Sequence, residues 1–158
     1  MNVAVYVPSG VVLVVGNVSV YVEPSFVSAA ALLGAPLMHD FASISLSDLL
    51  TDWEKIEARV DAAAKADFVI VLYNPKSSKR TEGIKKAVSV IARYREGNTP
   101  VGIVRNATRE GEDAAVTTLS EIHLHYDKID MLTLVIVGNS TTFTHEGRII
   151  TPRGYKGL

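Results

Sequence analysis

Apolar residues along the chain fall into short unbroken runs, and between the runs they recur every three or four positions. Phe68 to Tyr73 is an apolar run held between Asp67 and Asn74-Pro75, the pattern of a strand buried on both faces. Val101 to Val104 and Leu132 to Val137 repeat it, and Phe41 to Ser45 and Val116 to Leu119 read as further strands. Trp53, Ile56, Val60 and Ala63 or Ala64 recur at helical spacing up to Lys65, and Thr51 with Glu54 three residues on is a capping-box pattern for that helix. Ile84, Ala87, Val88 and Ile91 define one face of a second helix, which Gly97 and Asn98 are expected to end. The small residues from Ser28 to Leu33, after Pro24 and before Gly34 and Pro36, predict a short helix packed closely on a neighbour. Ser120 to Tyr126 predicts a short helix. Val3 to Val22, rich in valine with turn residues at Pro8-Ser9-Gly10 and Gly16-Asn17, predicts two or three strands. Phe143 to Ile150, broken at Glu146-Gly147, reads as a terminal hairpin.

Strands and helices alternate through the body of the chain, which predicts an α/β sandwich with a mostly parallel or mixed sheet flanked by helices. An antiparallel edge supplied by the terminal hairpin would make that sheet mixed. At 158 residues and 47% hydrophobic content the chain can bury one sizeable core. Sixteen basic against seventeen acidic residues give a net charge of -1, so the charge does not mark a binder of nucleic acid or of anionic membrane, and a small ligand or a protein partner is the better expectation. The absence of cysteine excludes disulfides, thiolate metal sites and thiol nucleophiles, and agrees with a reducing, cytoplasmic location. Met1 to Val22 lacks a basic leader and is interrupted by Pro8, Gly10 and Gly16, so it reads as strands rather than a signal peptide. No stretch approaches the roughly 18 apolar residues of a membrane-spanning helix.

Three apolar strands end in polar loops, at Tyr73-Asn74-Pro75, Arg105-Asn106-Ala107-Thr108 and Gly138-Asn139-Ser140. Ligands of open α/β sheets bind at the carboxyl ends of strands, so these loops are candidates for one crevice, although asparagine is also a turn former in its own right. Lys76 to Arg80 leads into a helix and invites an anion-binding reading, but neither a phosphate-cradling G-x-x-x-x-G-K-[ST] nor a G-x-G-x-x-G occurs. His123 and His125 are the one close histidine pair; spacing nominates no third ligand, so a solvated or capping role is preferred to a metal site. His39-Asp40 at the mouth of a strand could orient a substrate, without a G-x-S-x-G elbow to support hydrolysis. Glu110, Glu112 and Asp113 read as a solvated loop, and Arg148, Arg153 and Lys156 as surface charge or contacts to an anionic substrate. No acid, base or nucleophile set emerges from the residues alone.

The segments His39-Asp40-Phe41-Ala42-Ser43-Ile44-Ser45-Leu46-Ser47-Asp48-Leu49-Leu50, Leu72-Tyr73-Asn74-Pro75 with Lys79-Arg80-Thr81, Gly102-Ile103-Val104-Arg105-Asn106-Ala107, Val135-Ile136-Val137-Gly138-Asn139-Ser140 and Thr151-Pro152-Arg153-Gly154-Tyr155 resemble, in order and spacing, the precorrin-3B C17-methyltransferases of the tetrapyrrole methylase family. The resemblance runs from about Val18 to Tyr155. It implies a two-lobed fold with S-adenosylmethionine in the cleft between an amino-terminal and a carboxyl-terminal α/β lobe, within a homodimer. Residues 35–158 then correspond to the carboxyl-terminal lobe and 1–34 to a remnant of, or link from, the first. The family's G-x-G-x-G-D and G-D-P/A segments have no counterpart here, and Ser25 and Val27 stand where a glycine and a hydroxyl are usual. Matching positions carry over Ser28, Tyr73, Asn74, Asn106, Ala107, Val137 and Gly138 as cofactor contacts, with no catalytic residue and no metal assigned. They imply that Asn74, Ala107 and Gly138 meet at one edge of the sheet.

The activity implied is methyl transfer to C17 of a precorrin-3B-type tetrapyrrole in cobalamin biosynthesis, an electron-rich ring carbon attacking the sulfonium methyl, with accompanying ring contraction. The alternative is a non-catalytic or half-enzyme module that binds a corrinoid intermediate or a separate amino-terminal lobe; a weaker one is a phosphate-ligand binder using Lys76 to Thr81. A lobe that normally packs on another is also expected to self-associate.

Overall fold

The computed structural model describes residues 26–76 and 81–154 in full and the backbone alone of 4–7, 10–15, 18–22 and 24–25. The chain opens with β1 (Ala4–Val7), β2 (Gly10–Val15) and β3 (Val18–Val22), an antiparallel meander of its own. There follow α1 (Pro24–Leu33), β4 (Gly34–Ala35), β5 (Phe41–Ser45), α2 (Trp53–Lys65), β6 (Val69–Tyr73) and α3 (Gly83–Ile91). The second half holds β7 (Pro100–Arg105), β8 (Asp113–Thr118), a single 3-10 turn (Ile122–His125), β9 (Thr133–Val137), β10 (Phe143–His145) and β11 (Arg148–Ile150).

The main sheet has the order β5-β6-β9-β7-β8. β5 and β6 are parallel, joined through α2, and β7 runs in the same direction after α3. β9 lies between β6 and β7 and is antiparallel to both, as β8 is to β7. The apolar runs are unbroken because the sheet is covered on both faces. On one side Ile70, Leu72, Val101, Ile103, Val135 and Val137 pack with Ile56 and Val60 of α2 and Ile84 and Ile91 of α3. On the other, Val69, Val71, Val104, Leu134 and Ile136 pack with Phe26, Ala29, Ala30 and Leu33 of α1. The small residues of α1 let it settle close to the sheet, and Gly102 completes the fit: a Cβ there would stand 2.2 Å from Leu33 Cδ1. Gly102→Ala therefore forces a buried side chain aside, and a loss of about 1–3 kcal/mol is expected in urea unfolding; an unchanged midpoint would show that α1 shifts freely.

Three expectations change. The terminal hairpin forms, turning through Glu146 (φ 48°) and Gly147 (φ 72°), but it is no edge of the main sheet. β11 pairs in parallel with β4, making a separate three-stranded sheet, and the main sheet is mixed because β8 and β9 run against the rest. α2 begins one residue later than the capping-box pattern suggests, with Asp52 at the N-cap and no side-chain cap bond. α3 stops at Ile91, before Gly97 is reached, because Arg93 N and Tyr94 N turn to the carbonyls of Val90 and Ile91. Gly97 instead packs on Ser120, whose N–H bonds to its carbonyl. Among the described residues no helix is long and apolar enough to cross a membrane.

Candidate functional site

The parallel strands β6 and β7 deliver their polar loops to the same end of the sheet. Asn74 leaves β6 in the left-handed region, φ 51°, and its Nδ2 donates to Ser45 Oγ at 3.2 Å, fastening the ends of β5 and β6 together. Asn106 does the same after β7, φ 53°, with its N–H on Leu132 O and its Nδ2 donating to Gly111 O at 3.3 Å. Asparagine tolerates this conformation better than other residues with a side chain, so both asparagines are turn formers. Both also border a cavity of about 230 Å³. Ala107 forms part of its buried floor, and Tyr73 packs against Phe26 of α1 with ring centroids 5.4 Å apart. Because β9 is antiparallel, the facing wall is its amino end, Met131 to Leu134.

That wall is tied to β7 by charge. Arg105 Nε donates to Asp130 Oδ2 at 2.8 Å, while Asp130 Oδ1 accepts from Leu132 N and Thr133 Oγ1. Burial acts to raise the Asp130 pKa, but the bonds from Arg105, Leu132 and Thr133 outweigh it and hold the carboxyl below its ordinary value. The neighbouring ends of β7 and β9 beside the cavity are thus braced.

Val137 and Gly138 are not at this site. Val137 pairs with Ile70 and Val101, near the starts of β6 and β7, whereas Thr133 pairs with Arg105. Four residue steps of strand, roughly 13 Å, separate the two ends. The convergence of Gly138 with Asn74 and Ala107 expected from sequence is therefore wrong. Gly138 has a structural reason to be glycine: a Cβ would meet Thr142 at 2.6 Å, where Thr142 Oγ1 bonds to Asn139 and Thr151. Ser28 is half-buried on α1 and outside the cavity lining, to which the same helix contributes Phe26.

The other candidates lie elsewhere. His39 and Asp40 are exposed at the amino end of β5, opposite the cavity. Exposed His123 has its Nδ1 2.7 Å from Ser120 O. Lys76 Nζ donates to Tyr126 O at 3.0 Å, and the rest of the basic run, 77–80, lies outside the described residues, as does Lys156. Arg148 and Arg153 are exposed. Glu112 accepts from Thr108 N at 2.7 Å within the exposed 108–112 loop. Sequence reasoning missed Phe26, Arg109 and residues 131–134 as cavity residues; the last of these needed the direction of β9.

The chain matches the family model of tetrapyrrole (corrin/porphyrin) methylases over residues 24–123. It is 53% identical over 129 residues to the cobalt-factor III methyltransferase of Priestia megaterium, covering 82% of this chain and 24% of that protein. It is 51% identical over 129 residues to the probable cobalt-factor III C(17)-methyltransferase of Salmonella typhimurium, covering 82% of this chain and 53% of that protein. The crystal structure of the methyltransferase CobJ superposes with a TM-score of 0.74 at 33% identity, over 80% of this chain and 52% of that one. The chain thus spans between about a quarter and about half of the length of these relatives. On the strength of a match to most of its length, the chain belongs to the tetrapyrrole methylase family.

Proposed function

We propose that this chain forms the carboxyl-terminal lobe of an S-adenosylmethionine-dependent methyltransferase that acts on C17 of a tetrapyrrole in cobalamin biosynthesis. Cobalt-factor III, which the curated relatives act on by name, is preferred to the metal-free precorrin-3B. The observation that carries the reading is the cavity at the carboxyl ends of β6 and β7, where Asn74, Asn106 and Ala107 come together. The proposed cofactor contacts are Tyr73, Asn74, Asn106 and Ala107, with Phe26 and Leu132 added and Ser28, Val137 and Gly138 left out. Residues 1–34 are proposed as the link from the first lobe, the cytoplasm as the location, and a homodimer as the assembly.

The lining suits such a cofactor. The Phe26 and Tyr73 side chains and Leu132 offer apolar surface for a purine, and the two asparagine turns expose amide groups beside it. When bound, S-adenosylmethionine supplies the activated methyl group. The chain's own task is placement and exclusion of water, so a site without a general base is adequate for the transfer. At about 230 Å³ the cavity falls below the roughly 300–1,000 Å³ of pockets that enclose a small molecule, which fits one wall of a cleft. The same fact favours a second reading, a half-enzyme that is inactive until another lobe is added.

Nitrogen-15 NMR with S-adenosylhomocysteine at millimolar concentration tests the site. Amide shifts are expected at Asn74, Asn106 to Thr108 and Leu132 to Leu134, and none at Gly138 to Thr142. Shifts confined to the Gly138 end, or no shifts, would refute the assignment.

A further inference from the structure

Among the described residues Arg109 is the one charged side chain that lines the cavity. Among the described residues its guanidinium has neither an ion-pair nor a hydrogen-bond partner. The neighbouring charges are otherwise engaged. Arg105 is bound to Asp130, Lys76 to Tyr126 O, and the Glu112 carboxylate to Thr108 N at 2.7 Å. Glu110, next in sequence, is exposed and makes no ion pair with Arg109.

The loop that carries Arg109 is held in shape. Asn106, Thr108 and Gly111 all take positive φ, at 53°, 64° and 75°. Arg109 N donates to Asn106 O at 2.8 Å, Glu112 N to Arg109 O at 3.2 Å, and Asn106 Nδ2 to Gly111 O. Left-handed backbone at residues other than glycine is uncommon and persists where the surroundings fix it. An uncommitted cation is therefore presented on a fixed loop at the mouth of an otherwise neutral cavity.

We propose that Arg109 is the carboxylate receptor of this cavity. A guanidinium matches a carboxylate through two parallel N–H donors, and among the described residues no carboxylate lines the cavity to occupy it. The inference rests on the reading of the cavity as a cofactor and substrate site. The carboxylate has two sources: the amino-acid end of an S-adenosyl cofactor, or an acidic side chain of the tetrapyrrole.

Four probes separate these outcomes: S-adenosylhomocysteine, 5′-methylthioadenosine (which lacks the amino acid), uroporphyrin, and the Arg109 Nε–Hε resonance followed in each titration. Arg109→Gln is expected to weaken binding of the carboxylate-bearing ligand roughly ten- to a hundredfold. It should leave 5′-methylthioadenosine binding and the melting temperature unchanged, and Arg109→Lys should fall between. An effect on S-adenosylhomocysteine assigns the cofactor tail; one on uroporphyrin assigns the macrocycle. Wild-type and Arg109→Gln chains binding both ligands equally, with the Nε–Hε resonance unmoved, would overturn the proposal while the cavity reading stands. Failure of the wild type to bind any of the three ligands would overturn both.

Discussion

Replacing Arg95 by leucine is expected to cost the fold about 3 kcal/mol, because this one side chain bonds three segments at once. Arg95 follows α3 and its side chain is 3% exposed. Nη1 donates to Ala64 O at 2.8 Å, Nη2 to Phe68 O at 3.2 Å and Nε to Gly138 O at 3.3 Å. Those carbonyls belong to the end of α2, the turn into β6 and the exit of β9. Asp67, itself held at φ 61°, pairs with Nη2 at 3.1 Å and also accepts from Ser140 N and Oγ. Burial lowers the Arg95 pKa and the Asp67 charge acts the other way; the guanidinium remains charged under any ordinary condition.

Leucine would fill part of the volume but remove the guanidinium donors from Phe68 O and Gly138 O, leave Ala64 O with only the Asp67 N–H at 3.2 Å, and leave Asp67 without its cation. Arg95→Lys should recover less than half the loss, since an ammonium is a point charge that cannot span three acceptors set around a plane. Urea unfolding followed by circular dichroism measures both. A loss below 1 kcal/mol for the leucine variant would mean that water replaces the guanidinium at all three carbonyls. The variant's folded fraction should still show ligand-induced shifts at Asn106, because Arg95 and the cavity lie at opposite ends of β9.

The same contrast explains what the sequence could and could not say. β6, β7 and β9 were legible because burial on both faces leaves long apolar runs, as in Val69 to Leu72 and Leu134 to Val137. The α1 helix was legible from its small residues, and Gly102 supplies the reason they are small. Strand direction was not legible. Nothing in Leu134 to Val137 distinguishes a strand parallel to β6 from one antiparallel to it, since side-chain alternation is the same in both. Grouping the three strand exits into one crevice put Gly138 with Asn74 and Ala107, and the antiparallel run of β9 places that one of the three loops at the other end of the sheet. The hairpin after Thr142 was likewise readable from Glu146-Gly147, but its partner β4 is two residues long and carries no pattern.

Within the site, the asparagines were found for a sound reason and their second role followed from position. Asn74 and Asn106 suit their positions because the chain leaves β6 and β7 in the left-handed region, which asparagine tolerates, and both exits border the cavity. Arg109 carried no signal: in sequence it stands among Glu110, Glu112 and Asp113 and reads as one more charge of a solvated loop. Only the engagement of Glu112 by Thr108 N, and the turn that brings residue 109 over the cavity, set it apart.

Supplying the amino-terminal lobe of a relative should tighten S-adenosylhomocysteine binding by about a hundredfold or more and make methyl transfer measurable. Taken alone, the chain offers one wall: Asn74, Asn106 and Ala107 behind the ligand, with Met131 and Leu132 half-exposed at the mouth. The opposite side of a bound ligand would face water. Each hydrogen bond a second wall adds contributes about 0.5–1.5 kcal/mol, and about 1.4 kcal/mol is a factor of ten. Two or three such bonds, with the apolar surface of Met131 and Leu132 covered, reach the stated factor. The gain in turnover should be larger than the gain in affinity, because in-line placement of the methyl group requires substrate and cofactor to be held between both walls at once. Calorimetric titration with and without the added lobe gives the first quantity, and transfer of a labelled methyl group to cobalt-factor III, the proposed substrate, gives the second. Micromolar binding and turnover by the 158 residues alone would refute the half-enzyme reading and require that a second copy of the chain, or residues 1–34, complete the cleft.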